Sequence, residues 1–315
     1  PRFGFLKSRF SYILVFLFSV FKLHRFLKNE KPDYLVVHLM TFIPLSLLLF
    51  FKYETKFILR ISGYPKLHLI RAFFWKIIGK KLFLVTTPTK LTGSLLRDSK
   101  IFDSNKIKYL PDPILDINEI KNKKIINNTI EKEISSRNTL LSIGRLTKQK
   151  NFNFLINAFI EILKDYSNLN LVILGDGEEK KKLKNLIKKN NLEKKIFLVG
   201  YRENIYSYLK NSKMFILTSR WEDPGFVLIE AAYMNKTVLS SDCPNGPKEI
   251  LDNEKNGFLF ESNSTASFLK KFDEIQNSEK SVLLKKKISF KKKIKEFTLV
   301  NHFNVFSNLL IDHEN

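Results

Sequence analysis

The sequence predicts an α/β protein of two domains, each built on a mostly parallel β-sheet. Short apolar runs, typical of buried strands, alternate with helical patterns through most of the chain. Residues 116–137 are rich in lysine and asparagine, lack strong periodicity and interrupt this alternation. The 315 residues, 44% of them hydrophobic, suffice for two packed cores. We therefore predict a first domain over residues 1–115, a linker over 116–137, a second domain over 138–289 and a C-terminal helix over 290–315.

The first domain is predicted from four strands and the helices between them. Its apolar runs give strands over 34–38, 57–61, 81–86 and 107–110, and helices over 43–51, 67–79 and 89–96. Thr89 is placed to cap the last of these helices.

The segment 10–27, which precedes the first strand, is nearly all apolar and has basic flanks. We interpret it as a buried helix, with a helix lying in a membrane interface as the alternative. Its uncharged part, residues 11–21, is about half the length that spans a bilayer. The chain begins with Pro1, and no glycine-rich turn precedes the first strand. We therefore expect one or two βα units to be missing at the N-terminus.

In the second domain, glycines follow successive apolar strands. The pattern predicts strands over 139–144, 169–174, 195–199, 214–217, 237–240 and 256–260, and helices over 152–164, 204–211, 225–232, 264–276 and 290–310. Gly144, Gly175, Gly200 and Gly225 each follow one of these apolar strands, Gly225 after a polar loop. Ligands of open α/β sheets bind where strand carboxyl ends meet helix N-termini. The second domain is therefore expected to carry the binding site.

Basic residues follow the first strand of this domain. Arg145 and Lys150 lie between Gly144 and the helix 152–164. Backbone N–H groups at a helix start, together with two cationic side chains, suit a diphosphate. The alternative is that both are ordinary surface residues of a very basic chain.

Two carboxylates frame the turn at Gly225. Glu222 lies in the loop and Glu230 on the helix, with seven residues between them, so both side chains can face one ligand. A glycine at the turn lets the backbone approach that ligand closely. The alternative is one acidic residue that complements the helix dipole and an unrelated solvated glutamate.

Composition excludes several classes of protein. The single cysteine, Cys243, rules out a disulfide framework and a cysteine metal site, and the five histidines show no metal-ligand spacing. The net charge of +23 favours an anionic membrane surface as a partner, unless it reflects only a lysine-rich composition. No RNA- or DNA-binding motif is present in the sequence, so nucleic acid is not an expected partner.

Three segments resemble retaining glycosyltransferase family 4. They are EDPGFVLIE (222–230), SIGRLTKQKN (142–151) and CPNGPKEI (243–250), the last in the form found among polysaccharide and lipid-linked-sugar transferases. The likeness is strong over 138–260 and weaker over 33–113. It implies the GT-B fold: two Rossmann-like domains with parallel sheets facing a central cleft, here with an incomplete N-terminal domain, and a C-terminal helix that crosses back to that domain.

The resemblance assigns roles to individual residues. Glu222 would contact the donor hexose, Glu230 would hold the ribose hydroxyls, and Arg145 and Lys150 would bind the phosphates. Together with the backbone N–H groups near Gly225, these cations would stabilise the leaving diphosphate. The expected catalytic residues are Glu222, Arg145 and Lys150, and the expected donor-binding residues are Gly144, Gly175, Tyr201 (against the nucleobase), Gly225, Phe226, Val227 and Glu230.

The acceptor side departs from the family. Many members have a histidine where this sequence reads Arg60-Ile61-Ser62-Gly63, and His38, at the end of the preceding strand, is the nearest histidine. We take His38, Arg60 and Ser62 as acceptor-side candidates and assign no catalytic histidine.

The resemblance implies a transferase that moves a sugar from a nucleotide sugar, expected to be a UDP-sugar, to a saccharide or lipid-linked acceptor with retention of configuration. No metal ion or other cofactor is expected, and the protein is expected in the cytoplasm on the inner face of the membrane. Two alternatives stay open: a nucleotide-sugar epimerase on the same fold, and a non-catalytic basic membrane-binding protein on a transferase scaffold.

Overall fold

The computed structural model describes residues 8–63, 65, 67–125 and 138–314. The chain divides into two compact units between Leu110 and Pro111. Each unit contains a sheet whose strands are all parallel, which confirms the predicted α/β class.

The first unit is a four-stranded sheet with helices packed on it. Its strands run in the order β1-β2-β3-β4. Its elements are α1 (Ser8–Asn29), β1 (Tyr34–His38), α2 (Phe42–Phe50), β2 (Lys56–Arg60), α3 (Leu69–Gly79), β3 (Leu84–Thr87), α4 (Lys90–Asp98) and β4 (Ile107–Tyr109). Because β1 and β2 pair with His38 opposite Arg60, the two strands end side by side.

The core of the first unit is apolar and aromatic. Trp75 of α3 packs on Phe102, with ring centroids 5.6 Å apart, and both belong to the cluster that covers β2. The predicted cap of α4 is confirmed: the Thr89 hydroxyl accepts a hydrogen bond from the Thr92 backbone N–H at 3.0 Å. Capping of this kind stabilises a helix by about 1 kcal/mol.

The apolar segment that precedes β1 forms helix α1. Its Leu27 is buried in the core, whereas Phe18, Phe21 and Phe26 are exposed. Side chains of residues 8–17 lie outside what the structure describes. Within the described ranges, no helix has the length and apolar character needed to cross a bilayer.

The second unit is a six-stranded sheet with the order β10-β9-β8-β5-β6-β7. Its elements are α5 (Ile117–Ile125), β5 (Thr139–Ile143), α6 (Phe152–Asp165), β6 (Asn170–Leu174), α7 (Lys180–Lys189), β7 (Ile196–Gly200), α8 (Tyr206–Asn211), β8 (Met214–Leu217), α9 (Val227–Tyr233), β9 (Thr237–Ser241), α10 (Pro247–Ile250), β10 (Phe258–Phe260), α11 (Thr265–Asn277), α12 (Lys280–Lys293) and α13 (Leu299–Glu314).

The side of the sheet on which the chain adds new strands changes between β5 and β8. The chain first adds β6 and β7 on one side of β5, then returns to add β8, β9 and β10 on the other. The helices that follow these two strands, α6 and α9, pack on opposite faces of the sheet. The carboxyl ends of β5 and β8 therefore form a switch point, where open α/β sheets hold their ligands in a crevice. Two apolar clusters cover the sheet, one containing Leu140 and the other Leu141, as expected for a strand buried on both faces.

Two parts of the second unit differ from the sequence prediction. Residues 117–125, in the predicted linker, form α5, and its Ile120 is buried in the core; residues 126–137 lie outside the described ranges. The predicted helix over 290–310 is interrupted, because a 3₁₀ turn over Ile294–Phe297 separates α12 from α13. There the Phe297 carbonyl accepts hydrogen bonds from the backbone N–H groups of Ile114 and Leu115, each at 2.9 Å. These bonds hold the interruption between the two helices in place.

Candidate functional site

The glycine turns of the second unit meet at the carboxyl edge of its sheet. The Gly175 N–H donates to the Gly200 carbonyl at 2.9 Å, and the Gly144 N–H donates to the Leu174 carbonyl at 2.9 Å. A Cβ atom on Gly175 would lie 1.9 Å from the Gly144 carbonyl oxygen, and Gly175 has φ +140°. The loops after β5 and β6 therefore touch through their backbones, with no room for a side chain between them.

The loops after β5 and β8 meet at the switch point of the sheet. Lys150 Nζ lies 2.6 Å from Glu222 Oε1 and 2.8 Å from Oε2, and Ser219 donates its hydroxyl proton to Oε1. The Glu222 side chain is 4% exposed and that of Lys150 15%. Burying a charged group costs free energy unless it is paired and hydrogen-bonded, and Glu222 has both kinds of partner.

Backbone contacts hold these two loops together beside the ion pair. The Thr218 hydroxyl donates to the Lys150 carbonyl at 3.1 Å, and the Arg220 N–H donates to the Gln149 carbonyl at 2.8 Å. The Gln149 side-chain amide donates in turn to the Trp221 carbonyl at 3.0 Å. Lys150 is therefore fixed both at its backbone and at its ammonium group.

The loop after β9 packs against the loop after β8. The Glu222 N–H donates to the Pro244 carbonyl at 3.0 Å, and Asn245 Nδ2 donates to Asp223 Oδ1 at 2.8 Å. A Cβ atom on Gly246, which has φ +142°, would lie 1.9 Å from the Pro224 carbonyl oxygen. The sequence motif CPNGPKEI thus supports the carboxylate loop through its backbone.

Glu230 lies on α9 and contacts Tyr206 of α8. Its carboxylate accepts a hydrogen bond from the Tyr206 hydroxyl. Burial, followed by the charges of Glu230 and Glu119, raises the pKa of Tyr206 well above its usual value. Glu222 and Glu230 thus have different partners: Lys150 and Ser219 bond to the first, and Tyr206 bonds to the second.

The remaining predicted donor residues lie on the same loops or at the start of α9. Arg145 and Tyr201 are exposed, and Phe226 and Val227, at the start of α9, are half-buried. Gly225 has φ +92°, and a Cβ there would approach Glu222 Cγ to 3.3 Å. Glycine at this turn therefore leaves space for the buried carboxylate.

The three acceptor-side candidates of the first unit lie at the ends of β1 and β2. His38 Nε2 and Ser62 Oγ are hydrogen-bonded at 2.7 Å. Arg60 is buried and donates to the Leu110 carbonyl at 3.1 Å. Burial lowers the pKa of Arg60 to about 10, and burial and the charge of Arg60 together lower the pKa of His38. Arg60 is thus buried within this unit, whereas His38 is exposed and Ser62 is half-buried.

Sequence reasoning did not identify the hydroxyls that serve the site. Thr218, Ser219 and Tyr206 are not among the site residues that the sequence motifs predict. Motif spacing carries no signal for them, because their partners are 3, 68 and 24 residues away along the chain. Within the described residues, no group of three or more histidine, cysteine, aspartate or glutamate side chains is arranged to hold a metal ion.

Solved structures share this architecture. A glycosyltransferase of Rickettsia africae aligns with a TM-score of 0.74 over 94% of this chain and 82% of its own, at 17% identity. The Anabaena protein HepE, solved with UDP, aligns with a TM-score of 0.74 over 93% of this chain and 82% of its own, at 15% identity. Likeness at this identity establishes the fold, and the predicted GT-B class, with its two parallel-sheet α/β units, is confirmed.

The chain belongs to the family of glycosyl transferases group 1, which matches residues 124–297. A glycosyltransferase of Methanocaldococcus jannaschii is 33% identical over 254 residues, which cover 75% of this chain and 62% of that relative. The amylovoran biosynthesis glycosyltransferase AmsD of Erwinia amylovora is 28% identical over 84% of this chain and 73% of its own length. An Escherichia coli galactosyltransferase that uses UDP-Gal and GlcNAc-diphosphoundecaprenol is 26% identical over 93% of this chain and 79% of its own length. The chain thus spans about three fifths of the Methanocaldococcus relative.

Proposed function

We propose that this protein transfers a sugar from a UDP-sugar to a saccharide or lipid-linked saccharide acceptor. The observation that carries the proposal is the buried Lys150–Glu222 pair at the switch point of the second sheet, framed by close glycine turns. A cation and a carboxylate fixed in this crevice suit a diphosphate joined to a sugar. UDP in the HepE structure and UDP-Gal in the name of the Escherichia coli relative support the choice of nucleotide.

Each donor group then has a proposed partner. Arg145, exposed at the strand end, and Lys150 take the phosphates, while Glu230 accepts hydrogen bonds from the ribose hydroxyls. Glu222 faces the hexose, and Tyr201 lies against the base. Phosphate contacts to fixed cations at a strand edge are strong because both partners are charged.

We propose a retaining mechanism, as in glycosyltransferase family 4. The bond from the anomeric carbon to the phosphate oxygen breaks, the acceptor oxygen attacks from the same face, and the leaving phosphate takes the acceptor's proton. Arg145 and Lys150 stabilise the negative charge that develops on the diphosphate. With these cations in place the proposed reaction uses no metal ion.

We propose that the acceptor is an envelope saccharide and that the protein works on the inner face of the membrane. The acceptors in the names of the Erwinia and Escherichia relatives, a polysaccharide and a diphosphoundecaprenol sugar, support this choice. The surface of α3 also supports it, because Leu69, Ile70, Phe73 and Ile77 form one exposed apolar stripe. Arg71 and Lys76 on the same helix add charge that favours anionic lipid.

Thermal unfolding in the presence of nucleotides tests the donor assignment. A ligand at a hundred times its dissociation constant adds about 2.7 kcal/mol of stability. UDP and at least one UDP-sugar should therefore raise the Tm by several degrees, and GDP-sugars should raise it less. Equal shifts with GDP- and UDP-sugars would refute the uridine assignment, and no shift with any nucleotide sugar would refute the function. Release of a free epimerised nucleotide sugar without acceptor would indicate the epimerase instead.

A further inference from the structure

The Glu222 carboxylate makes most of its hydrogen bonds within the protein, which direct recognition of a hexose would not require. Glu222 accepts two hydrogen bonds from Lys150 Nζ and one from the Ser219 hydroxyl. A carboxylate offers about four acceptor positions, so about one remains for a sugar hydroxyl. The residue as a whole is 3% exposed. Most of its hydrogen-bonding capacity is therefore directed at Lys150.

Ser219 is itself fixed. It is fully buried, and its carbonyl accepts the Ser241 hydroxyl from the end of β9 at 2.7 Å. Its own hydroxyl points at Glu222 Oε1 from within the same loop. A rigid donor of this kind holds the Glu222 carboxylate in one orientation. The carboxylate in turn fixes the position of the Lys150 ammonium group.

We propose that Ser219 and Glu222 form a support that holds the Lys150 ammonium in place for the β-phosphate of the donor. Ser219 is a positioning residue that acts through Glu222 on Lys150. This inference rests on the proposed function, because it needs a nucleoside diphosphate in the crevice. A flexible lysine side chain loses considerable conformational freedom when it binds a phosphate, and a prepositioned one loses less.

The test compares two nucleotides in Ser219→Ala, a change that leaves every charge of the site in place. Calorimetry of the full chain measures the dissociation constants of UDP and UMP, whose ratio reports recognition of the β-phosphate. We expect the UDP-to-UMP ratio of dissociation constants to rise about five- to tenfold, which is part of the worth of a hydrogen bond to a charged group. UMP affinity should change less than twofold.

Ser142→Ala is the matched control. Ser142 is also buried, and its hydroxyl donates to the Ile216 carbonyl at 2.7 Å, away from the ion pair. Its UDP-to-UMP ratio should stay within twofold of the wild-type ratio. If Ser219→Ala folds poorly, Ser219→Cys keeps the volume with a weaker donor and should give an intermediate ratio.

A double substitution separates positioning from general packing. In a Lys150→Ala background, Ser219→Ala should add less than a twofold further loss of UDP affinity, because the group it positions is gone. Additive losses, equal losses for UDP and UMP, or an unchanged ratio in Ser219→Ala would overturn the inference. If wild-type protein binds no nucleoside diphosphate, the proposed function fails as well. If Lys150→Ala abolishes β-phosphate recognition but Ser219→Ala does not, only the inference fails.

Discussion

The carboxyl ends of the strands are built differently in the two units. In the second unit, Gly175 and Gly246 place loop backbones in contact and leave no space for side chains. In the first unit, β1 ends in His38, which is followed by the exposed Leu39 and Met40. The second unit thus has an edge built from closely packed backbone, and it is here that we propose a nucleoside diphosphate binds. The first unit instead presents exposed side chains at the end of β1.

The glycine turns should give the largest effect. Gly175→Ala places a methyl group on the Gly144 carbonyl, so we expect a loss of about 3 kcal/mol or more in the free energy of unfolding. Gly200→Ala is the matched control: its φ is +84°, but nothing lies within 4 Å of the added atom. It should cost only about 1–2 kcal/mol, the strain of the left-handed backbone. Urea unfolding of both variants measures the difference, and equal losses would contradict the close backbone packing of this edge.

Lys150→Ala should give the next largest effect. It removes the proposed phosphate cation and leaves Glu222 buried without its ion-pair partner. We expect UDP affinity to fall about a hundredfold, since a charged hydrogen bond is lost and an uncompensated carboxylate repels the phosphates. Lys148→Ala, at an exposed position in the same loop, is the control and should stay within threefold. Similar losses in both variants would indicate only a diffuse effect of positive charge.

Glu230→Ala should weaken UDP binding about ten- to hundredfold, because the ribose hydroxyls lose a charged acceptor. Calorimetry with 2′,3′-dideoxy-UDP provides the control on the ligand side. The variant and the wild type should bind this analogue with similar affinity, since neither can use the missing hydroxyls. An unchanged affinity for UDP itself would remove Glu230 from the site.

The smallest effect is expected on the exposed stripe of the first unit. The double variant Ile70→Ser, Phe73→Ser should keep its unfolding free energy within about 0.5 kcal/mol, because both side chains are exposed. Its co-sedimentation with anionic vesicles should fall several-fold, in low salt more visibly than in high salt. Val282→Ser, an exposed apolar position of the second unit, is the control. Binding that ignores lipid charge and salt, or no binding by the wild type, would contradict electrostatic docking.

Much of the fold could be predicted from local pattern. Apolar strands such as Met214–Leu217 are recognisable because both faces of a parallel sheet are buried, so the run is continuous. Helix α5 escaped prediction because its lysine-rich sequence has weak periodicity, and burial of its Ile120 in the core is a tertiary contact. The division between α12 and α13 also escaped, because the bonds at Phe297 come from residues 114 and 115, far away in sequence.

The sequence by itself determined the order of strands and helices, the glycines at their ends, and the identity of the charged residues near the crevice. Only the tertiary structure decided that Lys150 pairs with Glu222, that the Ser219 hydroxyl donates to Glu222, and that the Tyr206 hydroxyl donates to Glu230. Strand order is the physical reason. Placing β8 beside β5 brings together loops about 70 residues apart, and hydrogen bonds between such loops depend on that placement and not on local spacing.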